Sequence, residues 1–279
     1  MRPIKSYQIR GVTGLINRVD FDGRLVDYWT PDRPTKHLLI AHDGQNIFDP
    51  ATSTHRATWR MAQSAIRVSK AMGIIPPAII GVFHSRSQAN PWGRILDLAP
   101  QDPFQNGVPA YQANDEISLE NLQGNNYLEQ ITNMIAPAIC QTLKLDISHL
   151  DKAVIGSSLG GLASLYAISK RPDFFTTALA LSTHWTAGEI PLVEAMLDSL
   201  PRPGQHRIWM SRGTRGHDAH YGDFQDYADK KMLRAGWREG EDFITRVYKR
   251  SGHNERSWAK YLDQPMKFWL NSSLRPAGN

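Results

Sequence analysis

Short apolar runs alternate with longer segments whose apolar residues recur every three or four positions, and this alternation extends through most of the 279-residue chain. Runs of the first kind predict strands and segments of the second kind predict helices covering them. SYQIR, LINRVDF and GRLVDYWTP come first, and the short Asp-Gly link between the last two predicts antiparallel pairing. HLLIAHD, PPAIIGVFHS, KAVIGSS, TALALSTHW, HRIWMSRGT and FITRVYKR follow, separated by helical stretches, which predicts a mostly parallel sheet. The helices are expected at Thr58 to Ser69, Asn126 to Leu143, Leu159 to Lys170, Ile190 to Leu200, Asp223 to Ala235 and Glu255 to Asn271. In the second of these, Leu128, Ile131, Ile135, Ile139 and Leu143 share one face, and Pro137 predicts a kink or an early stop. Residues from about 85 to 125 are polar and poor in periodicity, so they read as a long excursion. Loops of that length commonly act as lids or binding loops. The expectation is one α/β domain over 1–279, with antiparallel N-terminal strands, a mostly parallel central sheet and helices on both faces.

Composition changes this picture little. The net charge is +5, but basic residues are interleaved with acidic ones. No basic stripe, recognition-helix motif or RNA-binding fingerprint stands out, so nucleic acid is not an expected partner. No run of about 18 apolar residues predicts a membrane span. The N-terminal stretch MRPIKSYQIRGVTGL lacks the apolar core of a secretory signal. Cys140 is the only cysteine, so no intramolecular disulfide can form, and a reducing cytoplasm is the expected compartment. Oligomeric state has no signature in the sequence.

The chemistry is concentrated in AVIGSSLGG, Ala153 to Gly161, which contains two serines. In the frame Gly-x-Ser-x-Gly only Ser158 fits, flanked by Gly156 and Gly160; Ser157 would need glycine at Ile155. The frame has a physical cause: a strand reversing sharply into a helix holds the central serine in a strained conformation, and its neighbours two residues away must lack bulk. The Leu159 N–H, at the helix start, would point at a developing oxyanion.

A serine hydroxyl needs a general base, and the base needs an orienting carboxylate. His253 follows the last strand in the loop SGHNE and is the candidate base. The loop after HRIWMS offers two acids, Asp218 and Asp223. Asp218 is favoured because it lies nearer the strand end, whereas Asp223 looks like a helix N-cap. His217, Asp218 and His220 could also be read as metal ligands, but three so close on one loop, with no further cluster, make a poor site. Neither metal nor organic cofactor is expected.

Several segments together resemble the esterase D-like family of the α/β-hydrolase superfamily, related to enterochelin esterase-like, feruloyl and acetyl-xylan esterases and the mycolyltransferases. They are IAHDGQNIFD, RILDLAP, GSSLGG, LSTHW, GTRGHD and HNERSW, spread between about Asp20 and Leu270. The resemblance implies Ser158 as nucleophile, Asp218 as acid and His253 as base, with the backbone N–H groups of Gln45 and Leu159 as oxyanion donors. It also implies substrate contacts from His184 and Trp185, while Arg94 either contacts substrate or pairs with Asp97. Trp59, Trp92 and Trp185 are candidates for aromatic walls, with core packing the more common fate of tryptophan. Arg215 and Gly216 depart from the acidic residue and threonine that many relatives show after Gly-Thr. The implied activity is hydrolysis of a small-molecule carboxylic ester through an acyl-enzyme. The alternatives are an acyltransferase using the same triad and a non-catalytic binding protein on the same fold.

Overall fold

The structure is a computed structural model and describes residues 1–111 and 117–271. Its strands are β1 (Arg2–Tyr7), β2 (Ile16–Phe21), β3 (Arg24–Trp29), β4 (His37–Ala41), β5 (Ala78–Val82), β6 (Asp151–Ser157), β7 (Thr177–Leu181), β8 (Arg207–Arg212) and β9 (Phe243–Val247). All nine join one sheet in the order β1-β2-β3-β5-β4-β6-β7-β8-β9. Eight of the nine expected strands are present where expected; the first lies earlier, since β1 ends at Tyr7 and takes in only Ser6 and Tyr7 of SYQIR. β1 to β3 pair antiparallel, as does β3 with β5, and the remaining neighbours are parallel. The β2–β3 hairpin turns on Asp22 and Gly23, both at positive φ (51° and 90°), the backbone a tight two-residue hairpin requires.

The helices are α1 (Met61–Met72), α2 (Gly93–Leu98), α3 (Gln101–Gln105), α4 (Gly124–Glu129), a π-helical segment (Gln130–Ile135), α5 (Ala136–Thr142), α6 (Leu159–Lys170), α7 (Glu189–Asp198), α8 (Gly222–Arg234), α9 (Glu255–Tyr261) and α10 (Asp263–Leu270). Alternate strand residues feed two apolar layers. Leu38, Ile40 and Val154 pack toward α4 to α8, and Leu39, Ala41, Ala153 and Ile155 toward α1, α9 and α10. Strands covered on both faces need nearly continuous apolar runs, which is why these segments were readable as strands. No helix among the described residues is long and apolar enough to cross a membrane.

Three expectations change. Pro137 does not stop its helix: the turn ahead of it widens, with the Ala136 N–H donating to the Ile131 carbonyl five residues back. Pro137 then falls in the first turn of α5, where its missing N–H costs little. The C-terminal segment is two helices, because Pro265 in a continuous helix would clash with the Tyr261 carbonyl; it sits instead in the first turn of α10. The excursion is more structured than expected. It contains α2, α3 and a 3-10 turn at Leu119–Asn121, and it buries Leu98, Phe104 and Leu122. Elements of one or two turns are too short to show a period. Residues 112–116 of the excursion lie outside the described residues.

The expected Arg94–Asp97 pair does not form. Asp97 is taken by Arg24, whose Nη1 and Nη2 donate to its two oxygens at 2.9 and 3.1 Å, while the Arg24 Nε donates to Gln130 at 2.9 Å. This one guanidinium ties β3 to α2 and to the π segment. Arg24→Leu would leave the Asp97 carboxylate buried without its cation. We expect a loss of about 3–5 kcal/mol of stability, measured by urea unfolding.

Candidate active site

Parallel order reverses at β4. The chain runs from β4 outward to β5 and then returns to place β6 on the other side of β4. Ligand sites of open α/β sheets lie outside the strands' carboxyl ends at such a switch point. There the backbone is strained at three neighbouring strand ends: Asp43 after β4 (φ 54°), Ser158 after β6 (φ 59°) and Ser182 after β7 (φ 46°). Non-glycine residues hold such conformations only when their surroundings dictate them, and they cluster at functional sites.

Ser158 is the single residue between β6 and α6, with φ 59° and ψ −122°. A Cβ at Gly156 would overlap the Gly160 carbonyl, so strand and helix touch backbone to backbone. The Ser158 N–H donates to the Leu181 carbonyl of β7 at 3.0 Å. Ser157 is the last residue of β6 and is buried. On the next loop, a Cβ at Gly44 would overlap Gly81 of β5. That close approach lets a 3-10 turn, Gly44–Asn46, lie over the strand ends. Among the described residues, no partner takes the backbone N–H of Gln45 or Leu159, and both belong to turns at the switch point.

Asp218 is fully buried in the 3-10 turn Gly216–Tyr221 and gathers three donors. Its Oδ1 accepts from His253 Nδ1 at 2.6 Å. Its Oδ2 accepts from Ser182 Oγ at 2.8 Å and from the Gly213 N–H at 2.6 Å. The Trp258 indole N–H donates in turn to Ser182 Oγ at 3.0 Å. Asp223 is exposed in the first turn of α8, where Tyr221 holds the N-cap position, so it is not the cap the sequence suggested. His217 and His220 do not join Asp218 in a ligand set, and among the described residues no group of three His, Cys, Asp or Glu could hold a metal ion.

The acid and histidine loops are joined through backbone. Thr214 and Arg215 both donate N–H to the Ser251 carbonyl at 3.0 Å, and a Cβ at Gly213 would overlap that same carbonyl. The Gly-Thr pair therefore has a steric reason. The Arg215-Gly216 departure leaves it intact, since Arg215 takes part through its backbone. Beyond His253, the Asn254 side chain accepts from the Ser257 N–H at 3.0 Å and caps α9. The His253 imidazole meets Trp258, His217 and Tyr221 edge-on, with centroids at 5.1, 5.6 and 5.7 Å.

Tyr221 is a site residue the sequence reading missed. It is buried, its hydroxyl is hydrogen-bonded to His184 Nδ1 at 2.6 Å, and the hydroxyls of Ser158 and Thr186 also interact with it. It thus bridges the serine elbow and the imidazole of His253. Nothing in a lone tyrosine three residues after an aspartate marks this role. Burial pushes its phenol well above the ordinary range and pushes the His184 imidazole down to about 4, so both are neutral near pH 7.

Two residues expected to contact substrate have protein partners of their own. Trp185 has no exposed surface and its indole N–H donates to Gln225 at 3.1 Å, so it is a core residue; Trp59 is likewise buried, against Trp258. Apolar area outweighs the neighbouring catalytic motif in deciding where a tryptophan goes. Arg94 is paired with Asp43: its Nε and Nη2 donate to the two carboxylate oxygens at 2.8 and 2.7 Å. This guanidinium holds the Asp43 carboxyl below the usual range although burial acts the other way. The pair braces the Gln45 turn from beneath, and the Asp43 carboxylate lies against Gly160 of the elbow.

A nine-stranded, mostly parallel sheet with a one-residue strand-to-helix turn on serine is the α/β-hydrolase fold. The chain belongs to the esterase family: the family model described as "Putative esterase" matches residues 21–269. It is 32% identical over 107 residues to the uncharacterized protein YbbA of Bacillus subtilis (strain 168), an alignment covering 38% of this chain and 42% of that one. An IroE-like serine hydrolase from Shewanella oneidensis superposes with a TM-score of 0.66 at 17% identity, covering 90% of this chain and 78% of that one. The BES protein from Bacillus cereus gives 0.66 at 15% identity, with 95% and 98% coverage. The enterobactin esterase FES from Shigella flexneri, solved with 2,3-dihydroxy-N-benzoyl-glycine, gives 0.63 at 14% identity, with 93% and 60% coverage.

Beneath the elbow, His42 is fully buried with Nδ1 on the Tyr127 hydroxyl at 2.9 Å, and burial depresses its pKa from 6.5 to about 4. The unfolded chain therefore binds a proton that the folded one refuses between those values, so stability falls as pH drops from about 6.5 toward 4. The full shift is worth about 3 kcal/mol. His42→Gln is expected to reduce the slope of unfolding free energy against pH across that window, read from urea unfolding at a series of pH values; the buried His184, depressed over the same range, keeps part of it.

Proposed function

We propose that this protein is a serine esterase that cleaves a small-molecule carboxylic ester through an acyl-enzyme. The observation that carries this reading is the 2.6 Å hydrogen bond between His253 Nδ1 and a fully buried Asp218, on loops that meet the strained Ser158 elbow through Tyr221. Family membership points the same way. Ser158 Oγ attacks the ester carbonyl while its proton passes to His253 Nε2. The tetrahedral oxyanion accepts hydrogen bonds from the Gln45 and Leu159 N–H groups. The bond to the alcohol then breaks, and the alcohol leaves with the proton held by His253. Water repeats the sequence on the acyl-enzyme, giving up a proton to His253 and releasing the carboxylic acid as Ser158 Oγ regains its proton.

Asp218 keeps the Nδ1 proton of His253 in place and thereby leaves Nε2 as the base. Ser182 and Gly213 hold the carboxylate, so its role depends on donors from β7 and β8. We place the protein in a reducing cytoplasm because its single cysteine, Cys140, can form no intramolecular disulfide.

Ser158→Ala is expected to abolish labelling by a fluorophosphonate probe with the circular dichroism spectrum unchanged, whereas Ser157→Ala keeps its labelling; persistent labelling of Ser158→Ala would remove the assignment. Asp218→Asn should lower kcat on p-nitrophenyl acetate by about 10⁴, and Asp223→Asn should leave it near wild type. Tyr221→Phe, which deletes one hydroxyl beside the nucleophile, should reduce kcat about tenfold with little change in KM.

A further inference from the structure

On the face of the sheet covered by α1, α9 and α10, an open groove runs between α1, α9 and the loop that links β1 to β2. Arg10, Arg60, Arg67, Arg256 and Lys260 line it, and no acidic residue does. The chain carries 32 basic and 27 acidic residues, so these five equal its whole excess of positive charge. Along the sequence they are dispersed among acids, and the fold collects them. We infer that the groove docks an extended acidic segment of a partner protein, one with apolar side chains between its carboxylates.

Three observations support it. The first is unspent charge. Arg67 is paired, its Nε and Nη2 donating to Asp263 at 2.9 and 2.5 Å. Arg10, Arg60, Arg256 and Lys260 are exposed, and their side chains have no ion-pair or hydrogen-bond partner among the described residues. The carboxylates that border the groove along the chain, Asp49, Glu255 and Asp263, are already held by Lys5, His55 and Arg67. No neighbour is left to neutralise the four. The start of α1 adds to their field, because its first turn carries no acidic residue and no side-chain cap. Such a collection attracts opposite charge and steers its approach. The second is the floor. Ile9, Phe48 and Ile66 also line the groove, and they belong to or pack on the apolar layer beneath. A ligand of carboxylates alone has nothing to bury there, whereas a segment with interspersed apolar side chains does. The third is the arrangement of the walls. Arg60 and Arg67 stand on the α1 side, Arg256 and Lys260 on α9, and Arg10 on the loop, which is fastened to α1 by Gln63 Nε2 donating to the Arg10 carbonyl at 3.1 Å. A peptide laid between the walls reaches all of them, while a flat lipid surface meets only their rims. Phe48 is the one aromatic residue of the lining and is 2% exposed, so the bases of a nucleic acid find no ring to stack on.

The test is fluorescence anisotropy with the intact chain and a fluorescein-labelled dodecapeptide of repeated Glu-Leu-Asp. Binding is expected with a Kd on the order of 10 to 100 µM at low salt, weakening at least about fivefold when NaCl is raised from about 50 to about 300 mM. A peptide with Gln and Asn in place of its acids should bind at least about tenfold more weakly, and one with Ser in place of Leu at least about threefold more weakly. Arg60→Glu combined with Lys260→Glu, one from each wall, should weaken binding of the acidic peptide at least about tenfold. Lys230→Glu with Arg234→Glu, the same change of net charge placed on α8, should alter it by less than about threefold. Thermal unfolding checks that the variants are folded; if the groove reversal is not, Arg10→Ala with Arg256→Ala replaces it, with a loss of at least about threefold. Absence of binding, equal binding by either control peptide, or an equal loss in the α8 variant overturns the docking site. Tighter binding of a twelve-nucleotide oligo(dT), or of phosphatidylcholine vesicles with about a quarter phosphatidylserine, lost in the groove variant, overturns the choice of an acidic peptide as occupant. The esterase reading stands or falls separately, since none of these variants touches Ser158, Asp218 or His253.

Discussion

The contact that the rest of the site depends on is between two glycines. Gly156 near the end of β6 and Gly160 in the first turn of α6 approach so closely that a single Cβ would drive strand and helix apart. That approach allows one residue to make the whole turn, and forces it to φ 59°. Ser158 is consequently lifted clear of both elements with its N–H held by β7. Gly161 continues the constraint: its Cα faces the Leu181 carbonyl and Thr183, so the helix lies against the next strand end as well. The elbow is a property of three neighbouring backbones rather than of the serine.

Around it, buried carboxylates are supported by donors that come from the packing of the sheet. Asp43 lies between Arg94 and the Gln45 side chain, and Asp218 between Ser182, Gly213 and His253. A buried charge without such partners would be neutralised or would unfold the loop that carries it. The donors are therefore as much part of the site as the acids. Trp258 shows how core and chemistry are joined: its ring packs with Trp59 in one apolar layer, while its N–H orients Ser182 beneath Asp218. Loss of core packing under α9 would thus reach the His253 imidazole through one tryptophan.

The central strands β4 to β8 were readable because a strand buried on both faces must be apolar nearly throughout, whereas β1, exposed along most of its length, was not. The long helices were readable from their period. The excursion was not, because α2, α3 and the 3-10 turn at Leu119–Asn121 are too short to display one. Side-chain pairing was harder still. Arg94 and Asp97 stand three apart in sequence and suggest each other, yet each finds a different partner from a distant strand end or strand, Asp43 and Arg24. A tryptophan beside a motif invites a functional role, but Trp185 was claimed by the core.

The sequence by itself determined the α/β class, the glycine frame that singles out Ser158 and the chain order of serine, acid and histidine, because these follow from local sterics and from order along the chain. Only the tertiary structure decided which carboxylate meets His253 and that Tyr221 joins that histidine to Ser158. Those features depend on distances between loops 35 to 100 or so residues apart, from His253 back to Asp218 and on to Ser158. Such distances are set by how strands order themselves in the sheet, which local pattern does not specify.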